Sequence, residues 1–199
     1  MSKLFVDEIV HQSSQGSGTI TIGASGETTN IVGTLQNDGA ALVTGKILQV
    51  VQGTTTYNKV NSSTSFTDVE SSSGVTWVTS ITPSSSSNKI LIIATIGSNN
   101  YESSSEGDQR GLVQMLGDIN GAGYATLSGQ HKTGGYAYGG TAYGVSIGQT
   151  TPLNFFWTPN TTSQCNIKFE FKPTGNNGNM SVSGNSGLVC TCNLLEVSQ

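Results

Sequence analysis

Charge is what this sequence has least of. Only 10% of its 199 residues are Asp, Glu, Lys or Arg, against about 25% in an ordinary soluble domain. Eight Lys and Arg are scattered among twelve Asp and Glu, for a net charge of −4. There is no basic stripe to neutralise phosphates, so no nucleic-acid partner is expected. Long apolar runs are also missing. The longest, "ILIIATI" at 90–96, is far below the roughly 18–20 residues of a spanning helix, so no membrane insertion is expected. Asp7 and Glu8 stand where a signal peptide would be apolar, which points to synthesis and folding in a cytoplasm.

Cysteine and histidine are scarce as well. The three cysteines, Cys165, Cys190 and Cys192, make an odd count, which in a reducing compartment suggests free thiols. Cys190 and Cys192 sit two apart on a strand-like run; they point the same way, and a bond between them would be strained. All three are expected to be packed thiols. His11 lies in a sparse N-terminal segment and His131 in a Gly-rich loop. A metal site needs several converging ligands, and no H-x-x-x-H, H-x-H or C-x-x-C spacing occurs. No metal and no cofactor are expected.

What the chain does have is Ser, Thr, Gly and Asn, which supply 94 of its 199 residues. Disordered chains share low hydrophobicity but carry high charge or much Pro. Here there are only four Pro, and hydrophobic residues reach 34%. Val, Ile, Thr, Phe and Tyr recur in short alternating runs, the pattern of an ordered β-protein with long polar turns. No long helix is expected.

Composition changes near residue 46. Before it, small residues surround short pieces such as "TITIG", "TNIVG" and "AALVTG". Turn signals recur between them. After it come strand-like runs: "KILQVVQGTTTY", Ser65–Val69, Thr76–Ile81, Lys89–Ile96, "RGLVQMLGDING", Tyr124–Ser128, Ala142–Ile147, Leu153–Trp157, "CNIKFEFKP" and "LVCTCNLLEV". "PSSSSNK" and "YESSSEGDQ" read as polar loops. "ILIIATI" is apolar on both faces and is expected to be a central strand covered on both sides. In "CNIKFEFKP" Ile167, Phe169 and Phe171 alternate with polar residues, giving one buried and one wet face. The expected fold is all-β: an N-terminal extended, intertwined segment over 1–45, then an antiparallel, jelly-roll-like β-sandwich over 46–199.

Catalytic patterns are weak. Glu102, Glu106, Asp108 and Asp118 cluster in sequence. A glycoside-cleaving pair could be drawn from them, since distance in space is what matters, but solvated loop charges explain them as well. "GDINGAG" is a faint echo of a calcium loop. No G-x-S-x-G elbow, P-loop or dinucleotide fingerprint is present. No enzyme is expected. "GGYAYGGTAYG" at 134–144 is the most distinctive loop. Tyr136, Tyr138 and Tyr143 offer rigid rings with hydroxyls, suited to a receptor or glycan surface; packing within the sandwich or a subunit contact would also use them.

The stretch "GTITIGASGETTNIVGTL" at 18–35 holds strand-like pieces without a core. Ile20, Ile22, Ile31 and Leu35 have only Gly, Ser and Thr around them. Three copies wound together, with equivalent isoleucines meeting on the axis, or docking on another protein, would bury them, and the small residues would allow close backbone approach.

The run "SKLFVDEIVHQSSQGSGTITIGASGETTNI" resembles the N-terminus of virion fibre proteins of marine phages, of cyanophage and pelagiphage type. "KILQVVQGTTT", "SITPSSSSNKILIIATI" and the closing "NLLEV" resemble a β-sandwich module of the same fibre and appendage proteins. The two resemblances bracket almost the whole chain; residues 98–163 carry no matching motif. The resemblance implies a non-enzymatic virion structural protein, made in the host cytoplasm and commonly a homotrimer, with other virion proteins as partners and a host cell-surface glycan as a further one. Leu4, Phe5, Val6, Ile20, Ile22, Ile31 and Leu35 are the implied oligomer or docking contacts. Unlike long fibres, this chain has its two modules nearly adjacent. A tail fibre acting in host attachment and a capsid decoration protein or head fibre are both expected readings. A surface carbohydrate-binding module and a glycan depolymerase are the contrasting classes.

Overall fold

The computed structural model describes residues 36–37, 40–41, 46–102, 107–137, 145–174, 178–183 and 188–198. The chain divides into two compact units, Met1–Thr44 and Gly45–Gln199. In the first, β1 (Gln36–Asn37) and β2 (Ala40–Ala41) pair antiparallel. Among the described residues there is no helix.

The second unit is an antiparallel β-sandwich. One sheet, sheet I, contains β3 (Ile47–Thr55), β4 (Lys59–Asn61), β9 (Lys89–Glu102), β13 (Val145–Trp157), β15 (Gly178–Val182) and β16 (Cys190–Val197). The other, sheet II, contains β5 (Thr67–Asp68), β8 (Val78–Ile81), β10 (Gly107–Ile119), β11 (Ala125–Thr126), β12 (His131–Ala137) and β14 (Cys165–Pro173). A small hairpin joins β6 (Glu70–Ser72) to β7 (Val75–Thr76).

Short consecutive strands can be merged into eight positions: β3 with β4, β5 through β8, β9, β10, β11 with β12, β13, β14, and β15 with β16. The pairing is then first with eighth, second with seventh, third with sixth and fourth with fifth. The third also pairs with the eighth and the fourth with the seventh. The described strands of this unit therefore form one long antiparallel hairpin rolled into two sheets, the strand order of a jelly roll.

The core is what alternation predicts. On β14, Cys165, Ile167, Phe169 and Phe171 are buried, and Asn166, Lys168, Glu170 and Lys172 are half-buried on the other face. Trp77 stacks on Phe169 with ring centroids 5.3 Å apart. From sheet I, Ile90, Ile92, Ile96 and Leu194 close the core. Gly117 shows how tight it is: a Cβ there would come within 2.8 Å of the Leu127 side chain.

The structure changes several boundaries. β9 does not stop at Ile96 but runs through "GSNNYE", and β10 begins at Gly107, so most of the supposed polar loop "YESSSEGDQ" is strand. The reason is a buried polar cluster that hydropathy does not reveal. Ser98 Oγ lies 2.5 Å from Thr133 Oγ1, and Asn100 Nδ2 donates to the same oxygen at 3.1 Å. His131 opens β12 opposite Val113 instead of lying in a loop. Residues 145–157 form one strand where two were expected. The expectation that "ILIIATI" is covered on both sides also fails: Ile90, Ile92, Ala94 and Ile96 are buried, whereas Ile93 is 39% exposed. β9 is central within its sheet, between β13 and β16, but only one of its faces meets sheet II.

The three cysteines are free and buried. Burial pushes the Cys165 thiol up to about 11 and the Cys192 thiol to about 12, and raises Cys190 as well. A thiolate is the reactive species, so these groups are inert while the fold holds. A thiol-specific chromogenic reagent is expected to titrate none of them in the native protein and all three after denaturation.

Candidate functional site

The two outer faces of the sandwich are chemically unlike. On sheet II the outward positions form a charged network. Lys168 Nζ donates to Asp68 Oδ1 at 2.7 Å and Glu170 Oε1 at 2.9 Å. Gln114 Nε2 donates to Glu170 Oε2 at 2.7 Å, and Thr76 Oγ1 to Asp68 Oδ2 at 2.8 Å. The Lys168 ammonium also lies 4.7 Å from the centroid of the Tyr124 ring. Burial alone would lower the pKa of Lys168, but its two carboxylate partners outweigh that and hold it above the usual lysine value. These pairs are partly solvated, so each contributes little stability. They mark the face as one built to meet water.

Among the described residues the outer face of sheet I carries no such network. Cross-strand register aligns Val50, Leu195, Leu91 and Phe156 in one row across four strands. The next row is Gln52, Asn193, Ile93 and Asn154, with Gln52 Nε2 donating to Asn193 Oδ1 at 2.8 Å. A third is Thr54, Thr191, Thr95 and Pro152. Among the described residues the one ionised side chain on this face is Lys89, at its end. Val50 is 60% exposed and Phe156 56%, so the apolar row lies open across the sheet. Scattered exposed apolar residues need no explanation; a contiguous apolar row across four strands makes this face a candidate interaction surface.

Sequence reasoning did not single out this face, although its signal is present. Leu91 and Ile93 make β9 apolar on both sides, which is what a strand covered on both sides carries. Among the described residues only its inner side is covered.

The sites expected from sequence fare differently. Leu4, Phe5, Val6, Ile20, Ile22, Ile31, Leu35, Tyr138, Tyr143, His11 and Glu106 lie outside the described residues. Tyr136 is on β12 in register with Asp108 on β10. Glu102 and Asp108 fall on strands of different sheets. Among the described residues no group of three or more His, Cys, Asp or Glu could hold a metal ion.

The Asp118 carboxylate is engaged within its own turn and with β14. It accepts hydrogen bonds from Gly121 N at 2.8 Å, Gly123 N at 2.7 Å and Asn166 Nδ2 at 3.0 Å. It thereby shuts the turn after β10, where Asn120, Gly121 and Gly123 all have positive φ, a backbone that Gly and Asn tolerate. The Asn166 hydrogen bond is the main cause holding Asp118 below the usual carboxylate value; the turn amides add to it against burial. A depressed folded pKa means that the stabilisation is present above the unfolded value and lost as pH falls through the folded one. Asp118→Asn is therefore expected to destabilise the protein clearly at pH 7 and much less near pH 3. Denaturant titrations at the two pH values check this.

The buried carboxylate Glu196 is also structural. One of its oxygens accepts from Ser84 N at 2.6 Å, Ser84 Oγ at 2.7 Å and Asn88 Nδ2 at 2.7 Å. It ties the "PSSSSNK" loop to the closing "NLLEV" strand, two segments that share the fibre-module resemblance.

No protein-family model matches the chain, and no curated protein sequence does. Among solved structures, the chain is similar to one from infectious bursal disease virus, Gx strain, at 11% identity and a TM-score of 0.30, over 84% of this chain and 44% of that one. The T13 particle of the same virus gives 10% identity and a TM-score of 0.33, over 87% and 43%. A CBM4 structure gives 14% identity and a TM-score of 0.18, over 61% and 70%. The chain spans under half the length of the viral chains it matches. Identities and scores at this level carry no functional argument.

Proposed function

We propose that this chain is a non-enzymatic structural protein of a phage virion: a short homotrimeric appendage whose residues 1–45 attach it to the particle and whose β-sandwich acts in host attachment. The observation that carries this reading is the outer face of sheet I, where Lys89 is the one ionised side chain among the described residues and Val50, Ile93 and Phe156 are exposed in the single chain; such a face is suited to being covered in an assembly. The resemblance of "LFVDEIVHQS" and "GTITIGASGET" to marine-phage fibre proteins supplies the kind of assembly. Tyr136, Tyr138 and Tyr143 are the candidate contacts to a host glycan.

The near adjacency of the two modules favours a second version, a capsid decoration protein or head fibre. Copy number separates them. Quantitative peptide mass spectrometry of purified particles is expected to find the chain at fixed stoichiometry. A few copies at the tail would fit the attachment version; tens to hundreds on the capsid would fit the decoration version. Absence from washed particles would overturn both.

A further inference from the structure

We propose that Asn120–Gly121 is a latent self-modification site, held closed by the Asp118 carboxylate. The proposal stands on the turn after β10 and does not depend on the virion reading.

The chemistry is that of an Asn–Gly bond. The Gly121 backbone nitrogen loses its proton and attacks Asn120 Cγ, forming an N–C bond and a succinimide ring. The side-chain amide leaves as ammonia. Water then opens the ring at either carbonyl, giving Asp or isoaspartate at 120. Glycine favours the reaction because it puts no side chain in the path of ring closure. The sequence has two such pairs, Asn120–Gly121 and Asn177–Gly178. Asn120 is exposed, so water reaches its side chain. Asn120 and Gly121 have φ of 53° and 80°, a left-handed backbone that Asn and Gly tolerate. The residues that suit this turn are therefore also the ones that cyclise readily.

The backbone holds the pair back. Four successive N–H groups of the turn are engaged. Asn120 N donates to Gln164 O at 2.9 Å and Ala122 N to Ile119 O at 3.1 Å. Gly121 N and Gly123 N donate to the two oxygens of Asp118, at 2.8 Å and 2.7 Å. The attacking nitrogen is thus bound to an anion. Ring closure must take Gly121 N from Asp118 to Asn120 Cγ and break that hydrogen bond. The nitrogen must also shed its proton, and the carboxylate beside it opposes the negative charge that develops. Asp118 is no base for this step: its hydrogen bonds hold it below the usual carboxylate value, far too weak to take an amide proton. Conversion would open the turn for good. Isoaspartate adds a methylene to the main chain, which moves the turn amides off Asp118, and either product sets a new carboxylate near it. The turn leads into Tyr124, whose ring lies 4.7 Å from Lys168 Nζ, so the charged face of sheet II is disturbed with it.

The test is conversion at residue 120 of the full chain, followed by peptide mass spectrometry during incubation in mildly alkaline buffer. The reference is the rate in the guanidinium-unfolded chain. In the native protein Asn120 is expected to convert at least tenfold more slowly than this reference. Asp118→Ala, with its near-UV spectrum checked for folding, is expected to bring Asn120 close to the unfolded rate and leave the rate at Asn177 unchanged. If that variant does not fold, Asp118→Asn decides; it keeps one acceptor oxygen and no charge, and its rate should lie above that of the unmodified protein. Asn166→Ala removes another partner of Asp118 but leaves the turn amides their acceptor, so Asn120 should stay slow. Native Asn120 converting at the unfolded rate would overturn the proposal. So would a folded Asp118 variant as slow as the unmodified protein or slower, or equal acceleration by Asn166→Ala, which would assign the effect to lost stability.

Discussion

Phe169→Ala is expected to remove about 3–5 kcal/mol of stability, the range for deleting a buried aromatic ring. Phe169 sits on β14, a central strand of sheet II, and is almost fully buried. It stacks on Trp77 at 5.3 Å, an aromatic contact that adds to the area lost. Its backbone carbonyl also accepts from Val69 N at 2.9 Å, so relaxation around the cavity would disturb the entry to β6. For a domain of this size the loss corresponds to a fall in melting temperature of roughly 10 °C. Phe156→Ala is the matching control. It removes the same ring from the open face of sheet I, where the expected change in the monomer is within about 0.5 kcal/mol. Equal losses at the two positions would mean that the sheets face the other way.

Glu196→Ala is expected to cost about 2 kcal/mol, because it removes the acceptor shared by the buried Asn88 amide and the backbone N–H and hydroxyl of Ser84. Glu196 and Asn88 are both buried. Burial by itself raises the Glu196 pKa, but the hydrogen bonds from Asn88 and Ser84 outweigh it and hold the carboxyl below its ordinary value of 4.5. The sign follows: the contribution is complete above the unfolded value and fades as pH falls through the folded one. The gap between Glu196→Ala and the unmodified protein should therefore be largest near neutral pH and narrow below about pH 4. Glu196→Gln keeps one acceptor oxygen and should lose less than Glu196→Ala. Equilibrium unfolding across that pH range checks both the size and the trend.

These two residues also show how unevenly the fold could be read from sequence. Phe169 was legible, because "CNIKFEFKP" alternates cleanly and the structure keeps every inward residue inward. The shared orientation of Cys190 and Cys192 on β16 followed from the same period of two. Glu196 was not legible as buried, because nothing local says that a carboxylate will meet Ser84 and Asn88 more than a hundred residues away in sequence. The extension of β9 through Ser98 and Asn100 was hidden for a related reason. Ser98 Oγ and Asn100 Nδ2 are buried against the Thr133 hydroxyl, and hydropathy sees only their polarity. The candidate face was half legible. Its strands showed apolar residues on both sides, but only the paired registers of β3, β16, β9 and β13 reveal that Val50, Leu195, Leu91 and Phe156 form one row.

The central claim is that one face of the sandwich is covered in the working assembly and the other meets solvent. Hydroxyl-radical footprinting of the chain in intact particles tests it most directly, read out at Phe156 and Ile93 on sheet I and at Tyr124 beside sheet II. The expected result is strong protection of Phe156 and Ile93 relative to the free chain in solution, with labelling of Tyr124 unchanged. Labelling of Phe156 and Ile93 in particles at the rate found in the free chain would contradict it.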